Sequence, residues 1–402
     1  MADPRAFVGR AVSGSHTVTV VEQAAASSAR RDKYYRPELD WLRFLAFSLV
    51  FLFHALPLES DVYMDFGVNE HITSFLIIPL IRAGGHGVEL FFVLSAYLIS
   101  ELLMRERERT GAVHVKSFYV RRILRIWPLY FFFALVVYPF DAALTGQHSS
   151  YYIALLFFVS NWHNVFVSPV LAPTAHLWTV SIEEQFYVVW PHVVRKATMR
   201  LFVAIMISMI LIAVGWRTIY ILSGIPDQFV VRSNTFMRID MFALGGLLAC
   251  YFHHRPAQVS KRARMTLLAT ALALYWAIGL DLSGGYEGSA PLWAYPFAGL
   301  ASMACLAAFI GGPIRLQLAW PQRLMSYLGK ISYGLYLWHN PAIWITHQIV
   351  PDDNTPDLHS LSVRLVFSAT LTLIVSVVSY EVLEKPFLRM KRRFTFVESR
   401  PE

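Results

Sequence analysis

Apolar runs of near-spanning length recur ten times along this chain, near residues 41–57, 86–104, 126–145, 177–194, 200–222, 237–252, 266–282, 291–312, 331–350 and 361–382. A bilayer core about 30 Å thick takes roughly 20 residues of helix to cross. No water is present there to satisfy backbone N–H and C=O groups, so each run is predicted to close its own hydrogen bonds as an α-helix. The composition agrees: of 402 residues, 56% are hydrophobic and 15% charged, and the mean hydropathy is +0.46. A soluble domain has no use for so much apolar surface. The expected fold is all-α, a polytopic membrane protein with about ten transmembrane helices.

Charge predicts the topology. Basic residues gather before the first run and in 105–125, 195–200, 253–264, 315–330 and 391–393. The intervening loops 58–75, 142–150, 223–236, 281–290 and 351–357 are acidic or neutral. Excess Lys and Arg marks cytoplasmic loops, so the alternation predicts a multi-pass protein of the cytoplasmic (inner) membrane with both termini cytoplasmic. It also accounts for the net charge of +8 by membrane lipid rather than nucleic acid as the partner. The counting holds only if the shorter run 151–167 does not cross, and one re-entrant or surface helix is expected there. Residues 1–35 are polar and Ala/Ser-rich, without an apolar stretch ahead of a cleavage site. They are expected to form a disordered cytoplasmic tail rather than a signal peptide. Residues 36–388 are expected to form the membrane domain and 389–402 a second cytoplasmic tail. Cys250 and Cys305 fall inside apolar runs and imply neither a disulfide framework nor a thiolate metal site. No metal and no resident cofactor are expected.

Ionisable residues inside spanning runs are costly and must face a bundle interior or a water-filled cavity. The segment RPELDWLRFLAFSLVFLFHALP (36–57) carries Asp40, Arg43 and His54. At about 100° per helical residue, Arg43 and His54 return to within about 20° of one face, roughly three turns or ~16 Å apart. His86 and Glu89 open the second run beside glycines at 84, 85 and 87, which permit close backbone approach. Arg122 and Arg125 share a face at i, i+3, and guanidinium groups in that pattern suit a phosphorylated ligand. Glu183 and Glu184 interrupt an apolar run, with His176 and Tyr187 near the face of Glu183. Arg43 is the candidate partner for that carboxylate pair. Arg238 and Asp240 stand at an outer boundary, and Ser332, Tyr336 and His339 recur at i, i+4, i+7. Glu384 and Lys385 end the last run and read as an interfacial anchor. Structural readings stay open beside these: a snorkelling Arg43, a helix cap at 84–89, positive-inside anchoring around Arg122, a buried ion pair at Glu183.

In order, the blocks RPELDWLRFLAFSLVFLFH, GVELFFVLSAYLI, FYVRRILRIWPLY, HLWTVSIEEQFYVVWP, RIDMFALGGLLA, YGLYLWHNP and EKPF resemble the acyltransferase-3 type of membrane-bound O-acyltransferase, many of which O-acetylate bacterial surface sugars. The resemblance covers about 36 to 388. Glu89 stands where the family commonly has Asp, and Ala96 where Gly is usual; no counterpart of the esterase-like domain often appended in the family is expected. The resemblance implies an acyl-CoA co-substrate on the cytoplasmic side. It maps an Arg–ten residues–His motif onto Arg43 and His54, and an Arg-x-x-Arg motif onto Arg122 and Arg125.

These implications lead to acyl transfer onto a hydroxyl, of a carbohydrate or another acceptor. His54 is expected as general base, oriented by Arg43, Asp40 or the Glu183/Glu184 pair. Arg122 and Arg125 are expected to hold donor phosphates, with His86, Glu89, His176, Arg238, Asp240 and His339 as further substrate-binding candidates. Arg43 or a backbone N–H near Gly85 would meet the tetrahedral oxyanion. Two routes stay open, direct transfer and an acyl-His54 relay. Macrolides or other small molecules are alternative acceptors, and a proton-coupled transporter is the competing class.

Overall fold

The computed structural model describes residues 34–145, 149–170, 172–224, 227–253, 255, 258–281, 288–311, 319–350 and 357–397. The N-terminal tail expected before Tyr34 lies outside them, as do 351–356, most of the 281–290 loop and residues 398–402. Every regular element among the described residues is helical. Ten helices of 15 residues or more coincide with the ten apolar runs: α1 (Pro37–Ala55), α2 (Gly87–Thr110), α3 (Val115–Thr145), α4 (Trp178–Lys196), α5 (Met199–Leu222), α6 (Ile239–His253), α7 (Lys261–Gly279), α8 (Pro291–Ile310), α9 (Ser332–Ile349) and α10 (Leu358–Ser379). Five of them, α2, α3, α5, α8 and α10, are long and apolar enough to cross a membrane by length and composition. The others carry the polar groups that line the interior, or are shorter.

Local chemistry sets the ends. Pro37 and Pro291 occupy the first turns of α1 and α8, where their missing N–H leaves nothing unsatisfied. Thr198 and Ser260 cap α5 and α7 by accepting from Leu201 N and Ala263 N. The outer face of α5 exposes Leu211, Ile212 and Ile219, an apolar surface suited to lipid.

Small residues fix how the helices meet. A Cβ on Gly245 of α6 would lie 2.2 Å from the Val93 carbonyl of α2, so the two backbones touch there. Gly84 and Gly87 do the same against Leu49 and Ala46 of α1, at 2.5 and 2.7 Å. A short amphipathic helix, Ala319–Lys330, lies along α1, with Gly329 packed on the Asp40 backbone.

The run 151–167 departs from the single helix expected. It forms Ser149–Leu156 and Ser160–Phe166, of 8 and 7 residues, about 12 and 10 Å long, and neither is long enough to cross. Between them Phe158 adopts φ 55°. Its ring packs against Trp127 and Tyr130, and Gln185 Nε2 donates to its carbonyl at 3.0 Å. A left-handed phenylalanine is strained, and three neighbours hold it in place.

Candidate functional site

One cavity of about 480 Å³ opens among α1, α2, α3, α4, α9 and the segment after α10. Among the described residues, eight Lys and Arg side chains and four Asp and Glu line it, so its chemistry suits an anion. Arg43 and Asp40 enter from α1 as an ion pair at 2.9 Å, with Tyr35 Oη donating to the other carboxylate oxygen at 3.2 Å. Arg122 lies between the rings of Phe118 and Tyr187, its guanidinium carbon 5.4 and 5.3 Å from their centroids. That sandwich holds the guanidinium plane. Arg125, one turn along α3, lines the same wall.

Glu183 also faces the cavity, where it accepts from Ser95 Oγ. Its neighbour Glu184 points elsewhere, as adjacent helical residues must, and accepts from Trp127 Nε1 at 3.2 Å. Glu183 and Arg43 share the cavity, but the direct partner of Arg43 is Asp40. Glu384, read from the sequence as an interfacial anchor, is a correction: it is 5% exposed and lines the cavity. It ends a π-helical turn, Tyr380–Glu384, a distortion frequent at functional sites.

At its inner end the cavity is bounded by Tyr336 and Thr179, whose hydroxyls bond at 2.8 Å. Behind them three imidazoles cluster. The His176 ring lies 5.3 Å from Tyr336 and 4.9 Å from His339, and His339 lies 5.2 Å from His54. Backbone carbonyls assign the tautomers of two of them. His54 Nδ1 stands 2.9 Å from Val50 O and His339 Nδ1 2.6 Å from Tyr336 O. A carbonyl only accepts, so both Nδ1 atoms carry hydrogen in the neutral rings and both Nε2 atoms keep a lone pair. His339 Nε2 is 3.3 Å from His54 Nδ1. Asn340 Nδ2 donates toward His176 Nδ1 at 3.4 Å.

Arg43 and His54 thus share a face of α1 but serve two places, the cavity and the histidine cluster. Three helical turns separate them. Neither Arg43 nor Asp40 is a direct partner of His54, so its expected orientation by these residues or by the carboxylate pair gives way to Val50 O and His339. Near Gly85, where a backbone N–H is expected as an oxyanion donor, the N–H groups of Gly85 and His86 bond Arg82 O and Ala83 O at 3.2 and 3.0 Å. The glycines there serve helix packing.

His86, Glu89, Arg238 and Asp240 do not line the cavity. Arg238 pairs with Glu89 at 2.6 Å and His86 stands 3.4 Å from the same carboxylate. Asp240 pairs with Arg217 at 2.6 Å, and Arg217 also donates to Met237 O. Both guanidinium groups approach the Tyr295 ring, Arg238 at 4.4 Å and Arg217 at 5.4 Å. The result is a buried network joining α2, α5, α6 and α8. Arg217 was not singled out from the sequence; the signal was a guanidinium far inside a strongly apolar run.

A family model described as an acyltransferase domain matches residues 36–381. The chain is 28% identical over 386 residues to a Staphylococcus aureus protein named "Putative O-acetyltransferase", covering 88% of this chain and 57% of that one. It is 26% identical over 388 residues to the Peptidoglycan O-acetyltransferase of Listeria monocytogenes, covering 89% and 57%. A Bacillus subtilis protein named "Putative peptidoglycan O-acetyltransferase" is 28% identical over 356 residues, covering 81% and 54%. The chain therefore spans little more than half the length of these relatives. No solved structure matches it.

Proposed function

The chain belongs to the acyltransferase domain family, and from that premise we propose that it is an integral-membrane O-acyltransferase moving an acetyl group from acetyl-CoA to a hydroxyl of a surface carbohydrate. The observation that carries the reading is the cationic cavity ending at Tyr336, with His54, His176 and His339 directly behind it. A phosphate-rich donor fits such a cavity through charge-assisted bonds, and a histidine with a free lone pair fits proton removal from an alcohol. The names of the relatives point to peptidoglycan-like glycans as the acceptor class. The segments rich in Lys and Arg support ten crossings of the inner membrane with the cavity mouth and both termini cytoplasmic.

In this mechanism Arg122 and Arg125 hold donor phosphates, and the Arg43–Asp40 pair fixes the arm between phosphates and sulfur. Glu183, held by Ser95, accepts an amide N–H of that arm. The thioester reaches the Tyr336–Thr179 boundary. His54 Nε2 takes the acceptor proton as the hydroxyl oxygen attacks the thioester carbonyl. The C–S bond then breaks, and the departing thiolate takes the proton. His339 Nε2 and Val50 O accept from Nδ1–H of the imidazolium formed on His54, the orienting role that this chemistry requires.

The test is CoA release from acetyl-CoA by the purified protein, with and without peptidoglycan fragments. Wild type should release thiol faster with the glycan, and His54→Ala should release none while still binding acetyl-CoA. Equal release by both proteins would remove His54 from the chemistry.

A further inference from the structure

The segment following α10 forms part of the cavity wall. Lys385–Lys391 is helical and Arg392–Phe394 adds a 3-10 turn. Lys391, Arg392, Thr395 and Val397 all line the cavity. A strap of this kind, at the end of a last span, needs specific anchors to stay, and it has several. Arg109 donates to Phe396 O at 2.8 Å and Arg121 to Phe394 O at 2.6 Å. His114 stacks on Phe396 with centroids 4.3 Å apart, and Val397 is buried. Arg121 spends a second N–H on Glu106 at 2.8 Å. Its guanidinium therefore secures the strap, although it borders the cavity.

Helix register locates the strap cations along the cavity. Trp338 Nε1 bonds Ser379 Oγ at 3.2 Å, so those residues stand level. A Cβ on Gly334 would lie 3.3 Å from Glu384 Oε1, so those two are level as well. The chain after α10 therefore descends past α9 away from His339. Lys391 and Arg392 fall beyond Ser332, at the end of the cavity opposite the histidines. Lys330, which also lines the cavity, precedes Ser332 on that side.

CoA carries two separate anionic groups, a pyrophosphate and a terminal 3′-phosphomonoester, with the thiol at the opposite end of the molecule. Resting on the reading of the donor as acyl-CoA, we propose that Lys391 and Arg392 of the C-terminal strap form the subsite for the 3′-phosphate. Arg125 stands deeper, since Tyr333 Oη of α9 donates to the carbonyl of the next residue, Ile126, at 3.2 Å, and with Arg122 it takes the pyrophosphate. The strap places two cations where the phosphomonoester lies once the sulfur has reached Tyr336. A phosphomonoester carries up to two negative charges near neutral pH, so this contact strengthens with its second ionisation.

Calorimetric binding of CoA and of dephospho-CoA, which lacks only the 3′-phosphate, tests this on the full chain in detergent. Lys391→Ala with Arg392→Ala should weaken CoA about tenfold or more, the scale of two charge-assisted contacts. Dephospho-CoA affinity should stay that of wild type. The charge-preserving exchange Lys391→Arg with Arg392→Lys should restore most of the CoA affinity. Unchanged CoA affinity in the double Ala variant overturns the subsite, as does an equal loss for both ligands. Wild type that binds neither ligand overturns the acyl-CoA reading itself, and the subsite with it.

Discussion

His339 turns Nε2 toward His54 Nδ1 at 3.3 Å, while its own Nδ1 lies 2.6 Å from the Tyr336 carbonyl. The carbonyl fixes the tautomer that leaves Nε2 a lone pair, and that lone pair faces the hydrogen of its neighbour. A proton arriving at His54 Nε2 then creates an imidazolium with two acceptors on Nδ1–H. His339→Gln, whose amide oxygen can reach the same place, should keep most of kcat. His339→Ala should lower kcat by about 10-fold or more, the scale of one lost hydrogen bond to a charged group, with KM for acetyl-CoA unchanged. The acidic limb of the pH–rate profile, where protonation of His54 removes the base, should move with kcat in the Ala variant and stay in place in the Gln variant. A profile and kcat equal to wild type in both would reduce His339 to packing.

Gly329 couples a surface helix to the cavity. Its added Cβ would lie 1.9 Å from the Asp40 carbonyl oxygen, far inside the closest approach of a non-bonded carbon and oxygen. Gly329→Ala must push Ala319–Lys330 away from α1, or shift the turn that carries Asp40 and Arg43. Overpacking of this kind costs about 1–3 kcal/mol. The expected result is a raised KM for acetyl-CoA alongside a lower unfolding temperature in detergent. Unchanged values of both would mean that the two helices separate freely and do not set the Asp40–Arg43 geometry.

How much of this was legible in the sequence follows from the range of each interaction. The common face of Arg43 and His54 is a local property of helical spacing, and it holds along α1. So do the shared face of Arg122 and Arg125 and the approach of helices at the 84–87 glycines. The meeting of His54 with His339 joins residues 285 positions apart, which no periodicity encodes. Glu384 looked interfacial because it ends an apolar run; the register of α10 against α9 brings it inside. The fold of 151–167 into two helices depends on Phe158 at positive φ, held by Trp127, Tyr130 and Gln185 from other segments. His86, Glu89, Arg238 and Asp240 were legible as intramembrane charges, but their mutual pairing, completed by Arg217, is tertiary.

That network makes a prediction about stability. Glu89 is 1% exposed and pairs with Arg238, itself 2% exposed. Removing one member of a buried pair costs about 3–5 kcal/mol, because the remaining charge stays in a medium that cannot solvate it. Glu89→Ala should therefore lower the unfolding temperature in detergent sharply. Glu89→Ala with Arg238→Met should recover much of the loss. For the folded fraction of the double variant, KM for acetyl-CoA should match wild type, since neither side chain lines the cavity. A raised KM with full stability would instead move the pair into the binding machinery.

Tyr336 joins the cavity to the histidines. Its hydroxyl lies 2.8 Å from Thr179 Oγ1, and its ring lies 5.3 Å from His176 and 5.5 Å from His339. Thr179 Oγ1 also stands 2.9 Å from the His176 carbonyl, to which it donates. With that proton committed, Thr179 accepts from Tyr336 and holds its O–H in place. A thioester carbonyl arriving at this boundary competes with Thr179 for that single hydrogen, so the O–H turns from Thr179 Oγ1 to serve a developing oxyanion. Tyr336→Phe removes the hydroxyl and keeps the ring contacts, so folding should change by only about 1 kcal/mol. If the hydroxyl serves the oxyanion, kcat should fall by about 100-fold, the usual scale for one such donor, with KM for acetyl-CoA near wild type. Thr179→Val should leave kcat within a few-fold of wild type, because it keeps the donor and removes the acceptor that competes for its hydrogen. A Tyr336→Phe enzyme with full kcat would confine the hydroxyl to structure and return the oxyanion role to another donor near His54.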